Sequence, residues 1–366
     1  MKTRLPLLAT GVLSLLCAMW LGLVRLGWNL PLPWPDQLID HGPLMVCGFL
    51  GTLITLERAV DIEHGGVPWA YAAPVLTASG ALLVDLGPLS PFGPPLITLG
   101  SVMLIAIFVL TLWQEPSLAH ATMTVGAVAW FAGNAQWVTG ASSYRIVFLW
   151  LTFLVLIVSS ERLELSRAHV GRTAMRLFPL TTGTLLAGAV VHAWWPELGV
   201  RILGAGLVGV AGWLLINDVT RAALRKSGVE HFMAITMYGG CVWLGFGGVV
   251  AIVTGAAMPG TFYDALLHAV FLGFVVSMVF AHAPLIFPEI FDVPLPYHAR
   301  FYAHVILLHA SLVLRVLGDL VEVYGRLRSW GGMLNAVAVL LFLANTASSI
   351  VPSVLSRRPR STYQTP

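Results

Sequence analysis

The strongest constraint on this chain is a string of apolar stretches, each about as long as a bilayer is thick. A hydrocarbon core of about 30 Å takes roughly 20 residues of helix to cross. Windows of that length recur at 5–28, 40–60, 67–87, 92–114, 118–139, 145–164, 173–194, 197–217, 230–254, 262–287, 299–321 and 327–356. Pro and Gly punctuate most junctions, as at Pro31-Leu32-Pro33, Pro94-Pro95 and Pro294-Leu295-Pro296. Only 10% of residues are charged, whereas soluble domains run near a quarter, so an ordinary globular protein is excluded. The net charge of +3 is spread over short loops and forms no basic patch, which argues against nucleic-acid binding. Cys17, Cys47 and Cys241 all lie in apolar runs, so neither a disulfide framework nor a CxxC knuckle is available. The expectation is an all-α, polytopic membrane bundle of about twelve transmembrane helices, one integral membrane domain over residues 1–366. The window behind Met1-Lys2-Thr3-Arg4 is too long for the apolar core of a signal peptide and lacks a small-residue cleavage site, so it is expected to stay as a helix.

Charge asymmetry gives the orientation. With the N-terminus inside, inner segments hold Lys2, Arg4, Arg58, Arg162, Arg167, Arg172, Arg176, Arg221, Arg225, Lys226, Arg300, Arg357, Arg358 and Arg360. Outer segments and helix ends hold Arg25, Arg145, Arg201, Arg315, Arg326 and Arg328. Fourteen against six favours both termini inside. Trp28, Trp34, Trp137, Trp194 and Trp195 at outer ends, with Trp69 and Trp113 at inner ends, fit an interfacial aromatic belt. The cell inner (cytoplasmic) membrane is the expected location.

Eleven histidines then need an account. His64, His169 and His298 sit beside charges in inner loops and read as solvated residues. The others lie in helices or at their ends, where ionisable residues are rare and mark function, although a hydrogen bond between helices is the plain alternative. His41 opens the second window from the outer side, and His268 lies about one and a half turns into the tenth. Two neutral imidazoles facing each other at one depth are what a six-coordinate haem iron takes. His282 follows His268 by fourteen residues, which returns the side chain to within roughly 40° of the same face about 21 Å further along. That spacing suits a second haem, a copper site or hydrogen bonding. Helix 2 offers only Thr55 at the matching depth, while His120, His231 and His304 enter their helices from the inner side. His192, beside Trp194-Trp195-Pro196, could join His268 in an outer metal site.

Arg315 and Asp319 lie towards the outer end of the eleventh window. An intramembrane arginine needs an anion, which haem propionates would supply; a pair with Asp319, one turn away, explains it equally well. A weak internal echo sets Leu56-Glu57-Arg58 of the second window beside Ser160-Glu161-Arg162 of the sixth, compatible with three repeated four-helix units.

At the motif level, His41-Gly-Pro-Leu-Met-Val-Cys-Gly-Phe resembles the second helix of haem-copper oxidase subunit I, where a His-Gly-x-x-Met run supplies a low-spin haem ligand. The second half resembles the NnrS family of membrane haem proteins. The resembling segments are His268-Ala-Val-Phe-Leu-Gly-Phe-Val-Val-Ser-Met, Leu307-Leu-His-Ala-Ser-Leu-Val-Leu-Arg-Val-Leu-Gly and Trp330-Gly-Gly-Met-Leu-Asn-Ala-Val-Ala-Val-Leu-Leu-Phe. Together the resemblance covers about a third of the chain. It implies a haem b held by His41 and His268 with Arg315 on the propionates, and a link to nitric oxide and denitrification or respiratory metabolism. Copper is a further implied metal, and His192, His282, His304 and His309 are the further candidate metal ligands. The departures count against oxygen reduction: the sixth window has no histidine, the seventh has only His192, and the tenth lacks the adjacent His-x-His of the oxidases.

The reading is a haem-binding membrane protein in electron transfer or nitric oxide chemistry, with lipid around it and a redox partner or nitric oxide as its other contact. Two rivals stand beside it. A carrier without redox cofactor would explain twelve helices, but Asp85, Asp218, Asp264 and Glu289 sit near helix ends and supply no mid-membrane carboxylate. A haem-handling protein would explain the tryptophans beside His192, as would the aromatic belt.

Overall fold

A computed structural model describes residues 4–32, 34–63, 65–291, 295–321 and 325–355. Lys2, Pro33, His64, Pro294, Arg357, Arg358 and Arg360, used above, lie outside the described residues. Among those described, every regular element is helical. In chain order the rods are α1 (Arg4–Arg25), α2 (Asp36–Glu63), α3 (residues 68–85), α4 (Gly87–Gln114), α5 (Leu118–Val138) and α6 (Ser143–Ser166). They continue with α7 (Arg172–Val191), α8 (Pro196–Asn217), α9 (Val229–Thr254), α10 (Thr261–Pro288), α11 (Phe301–Leu320) and α12 (Arg326–Ile350).

Ten of these are long and apolar enough to cross a membrane, so the chain is a multi-pass helical membrane protein. The two that fall short are α3 and α5. The first opens on Pro68-Trp69-Ala70-Tyr71 in 3-10 form and ends on Asp85. The second carries His120, Thr122, Thr124, Asn134 and Gln136, and polar atoms of this kind dilute apolarity.

Burial sorts the rods into centre and rim. In α6 and α2 the apolar windows are 83% and 78% buried, against 33% in α4 and α7, so α2 and α6 form the interior. Their side chains explain it: α6 presents Ile146, Phe148, Trp150, Leu151, Phe153 and Leu154 to its neighbours with almost no exposed surface. The rim helices instead leave Leu99, Val102, Leu180 and Val190 exposed, as a lipid-facing surface requires.

Two rods are not plain α-helices. After a 3-10 turn at Pro35–Asp40 and a short α segment at His41–Pro43, α2 widens to a π-helix over Leu44–Gly51. α10 does the same over Ala269–Val276, directly behind His268. The π form is rare, is found mostly as single turns and is frequent at functional sites, yet each stretch here runs for eight residues. Glycines let neighbours fill the widened turns. A Cβ on Gly51 would fall 2.7 Å from the Trp130 ring, and one on Gly273 would overlap the Trp243 side chain.

Candidate functional site

For reference, the end of the bundle that carries His41 and His268 is called outer below, and the opposite end inner. A cavity of about 250 Å³ lies at the outer end between α1, α2, α6, α10, α11 and α12. His41 and His268 both line it, so the structure brings together two imidazoles from separate helices. Most of the remaining wall is apolar, with Met19, Leu23, Met45, Trp150, Phe271 and Phe342 among the lining residues.

The hydrogen bonds fix what each imidazole offers. Nδ1 of His41 lies 2.6 Å from the carbonyl oxygen of Ala18 on α1. Nδ1 of His268 lies 2.8 Å from the carbonyl oxygen of Asp264, four residues earlier in its own helix. A carbonyl can only accept, so each Nδ1 carries the proton and donates it. Each neutral ring then keeps its Nε2 lone pair, and no hydrogen bond to either Nε2 is found among the described residues. A ring nitrogen donating to a backbone carbonyl while the other stays open is the arrangement that orients metal-binding histidines.

At the outer rim the wall is charged. Arg25, Arg315, Arg328 and Asp264 all line the cavity. Asp264 Oδ2 accepts from Arg315 at 2.8 Å and from Arg328 at 3.0 Å. The other carboxylate oxygen of Asp264 lies 3.5 Å from Nδ1 of His268. Asp319 sits 2.8 Å from Nε of Arg328 as an ion pair, without the alignment of a hydrogen bond. Among the described residues no ion pair joins Arg315 to Asp319; Arg315 pairs with Asp264 from α10 instead, and Asp319 with Arg328. Among the described residues three guanidiniums stand against two carboxylates, and Nε of Arg315 is buried without a hydrogen-bond partner. The rim thus retains a net positive charge and a spare donor for an anion.

The other candidate ligands lie elsewhere. His282 lines a second, inner cavity of about 60 Å³ with Glu57 and Glu161. Its Nδ1 donates to Met278, and its Nε2 lies 3.4 Å from a guanidinium nitrogen of Arg162, so that lone pair is engaged. His192 is near the C-terminal end of α7, with Nδ1 3.2 Å from the Pro196 carbonyl and its ring against Phe148. It does not line the outer cavity, so it is not brought together with His268. His309 accepts from the Trp243 indole N–H at Nδ1, 3.0 Å away, and His304 Nδ1 lies 3.2 Å from the Asn345 amide nitrogen. In both neutral rings the proton is then on Nε2, which is buried without an acceptor and has no lone pair to give a metal. Among the described residues, no group of three or more His, Cys, Asp or Glu side chains could hold a metal ion.

The echoed Glu-Arg pairs meet across the bundle. Arg58 of α2 pairs with Glu161 of α6, and Arg162 pairs with Asp218 through two hydrogen bonds of 2.7 and 2.8 Å. Burial alone would raise the Asp218 carboxyl, but the Arg162 guanidinium outweighs it and holds the group below its ordinary value.

Sequence reading missed Asp264, Arg25 and Arg328 as parts of the site. The signal for Asp264 was its place four residues before His268, one turn away on the same helical face. Gly22 and Ala18 carried no such signal.

Fold and site together define a class: a multi-pass helical membrane protein whose outer cavity is walled by apolar side chains, two open imidazoles and a cationic rim. A family model described as a domain of unknown function, DUF8744, matches residues 4–351, and the chain belongs to that family. No curated protein matches the sequence.

Proposed function

We propose that this chain binds a b-type haem in its outer cavity, with His41 and His268 as the two axial ligands and Arg315 beside the propionates. One observation carries the reading: imidazoles from α2 and α10 line one cavity, each with Nδ1–H tied to a carbonyl and Nε2 unpartnered. The donor set fits the group. Two neutral nitrogens suit low-spin iron, the apolar wall suits the macrocycle, and the net positive rim suits two carboxylates. Such a group supplies one-electron chemistry and, where a ligand can be displaced, a place for nitric oxide. The protein's part is to hold the imidazoles, set their basicity through the carbonyls and keep bulk water from the cavity.

In the same reading the rods form twelve membrane crossings with both termini on the inner side, an architecture like that of haem-copper oxidase subunit I and NnrS proteins, in the inner membrane. The role is electron transfer or nitric oxide-related metabolism with a redox partner, without oxygen reduction. Copper finds less support than haem, because His282 is engaged by Arg162 and His304 and His309 are protonated at Nε2.

The test is a pyridine haemochrome assay on detergent-purified protein expressed with ample haem. One b-type haem per chain supports the proposal; colourless, folded protein ends it and returns attention to a carrier.

A further inference from the structure

The two imidazoles are held in different ways. His268 is fixed within its own helix, by the Asp264 carbonyl one turn earlier and the Asp264 carboxylate 3.5 Å from the same nitrogen. His41 has no such support on α2. Its Nδ1–H is taken by Ala18, on the neighbouring helix α1. One turn further along α1 stands Gly22, and the imidazole lies against its bare backbone. A Cβ at Gly22 would fall 2.8 Å from Cε1 of His41, 2.9 Å from Nδ1 and 3.5 Å from Nε2. Carbon contacts under 3.0 Å are essentially never seen, so with any side chain at Gly22 the ring has to move. Movement of the ring away from Gly22 alters the Nδ1–H bond to the Ala18 carbonyl, now 2.6 Å long and one turn away on the same helix.

A second close approach keeps the seat from giving way. On the π segment of α2, a Cβ on Gly48 would stand 2.9 Å from Cβ of Ser14 on α1. The two helices therefore approach closely at both levels, a side chain of one against the bare backbone of the other, and α1 cannot tilt away from one without disturbing the other.

We propose that Ala18 and Gly22 of α1 form the seat that sets the plane of the His41 imidazole, with Gly22 acting as a positioning residue for that ligand. This rests on the haem reading. The orientation of His268 is then a property of one helix, whereas that of His41 is a property of the α1–α2 interface. The angle between the two ring planes, which governs the electronic structure of a bis-imidazole haem, is decided where α1 packs on α2.

The experiment compares Gly22→Ala with Gly11→Ala, both on α1. A Cβ at Gly11 meets Thr52 at an ordinary 3.5 Å, so that variant controls for a helix-favouring substitution. Two readouts are taken: the electron paramagnetic resonance g-values of the ferric protein, and the imidazole nitrogen-15 shifts of histidine-labelled protein prepared without haem. In Gly22→Ala the expected results are a shifted largest g-value, haem affinity lowered on the order of tenfold, and a His41 Nδ1 signal that loses its hydrogen-bonded position. Gly11→Ala should match the parent in all three. Unchanged g-values and an unchanged nitrogen-15 pattern in Gly22→Ala would overturn the seat while leaving the haem reading intact. Colourless parent protein would end the haem reading, and the nitrogen-15 arm would still decide the seat. If Gly22→Ala fails to fold, the double variant with His41→Gly decides: the seat predicts that removing the ring restores folding, and continued misfolding overturns it.

Discussion

The outer and inner cavities share three helices, α2, α6 and α10, yet they are finished in opposite ways. Leu50 and Val279 line both, so the two abut in mid-bundle. At the outer end the imidazoles of His41 and His268 keep open lone pairs, and the surrounding guanidiniums outnumber the carboxylates. At the inner end His282 is engaged by Arg162, Arg58 pairs with Glu57 and Glu161, and Arg162 pairs with Asp218. The guanidiniums there are covered by carboxylates, although Nε of Arg58 makes no hydrogen bond of its own among the described residues. A region whose charged groups pair with one another is a fastening. A region whose polar groups are held in place but left open is prepared for something else. The lesson is that a histidine's depth says less than what its two nitrogens are already doing.

The largest effect should come from breaking the open side of this comparison. His41→Ala and His268→Ala should each abolish low-spin haem, while His282→Ala should leave the haem spectrum unchanged; visible spectra of the three purified variants check this. Loss of haem in His282→Ala alone would reverse the assignment of the two ends.

The second effect sharpens the closed side. Asp218→Asn leaves Arg162 without its carboxylate and should cost about 3 kcal/mol of stability, with no change in the visible spectrum. Because the folded Asp218 carboxyl lies below its ordinary value of 3.8, the pair's contribution is full above that value and is lost only as pH falls through the lower folded value. Thermal unfolding of parent and variant should therefore differ by a constant amount from pH 8 to pH 5 and converge only in stronger acid.

The third concerns the rim. Arg315→Gln removes one positive charge near the proposed propionates and should lower the haem midpoint potential. With the charge about 10 Å away in an effective dielectric of about 20, the drop is roughly 70 mV. Redox titration measures it, and an unchanged or raised potential would place Arg315 outside the group's field.

The smallest effect should be at His304. Its Nε2–H is buried without an acceptor, and its ring packs against Phe280 and Phe342. His304→Phe removes that unsatisfied donor and the Nδ1 acceptor of Asn345 together, so stability should change by less than about 1 kcal/mol with the spectrum intact.

These particulars show what the sequence could and could not carry. Apolar runs announced the rods because a span must be long and dry, and α3 and α5 fell short only where polar atoms dilute theirs. His41 and His268 were paired from depth alone, and they do line one cavity. The π stretches were illegible, since an apolar run has the same look whether its turns hold 3.6 residues or more. For Arg315, sequence offered either a haem propionate or Asp319, its neighbour along the chain, whereas its carboxylate partner Asp264 arrives from another helix. The Glu-Arg echo was visible as a pattern, but the crossing of Arg58 to Glu161 depends on how α2 packs on α6. The seat at Ala18 and Gly22 consists of a backbone carbonyl and a missing side chain, which leave no chemical signature in a sequence.

The central claim is that His41 and His268 close on one iron. Its most direct test is a dithionite-reduced minus oxidised visible spectrum of the purified protein beside the two single-alanine variants. The account predicts a sharp low-spin b-type α band in the parent that is lost in both variants. A band that survives either substitution, or a parent without one after expression in ample haem, would contradict it.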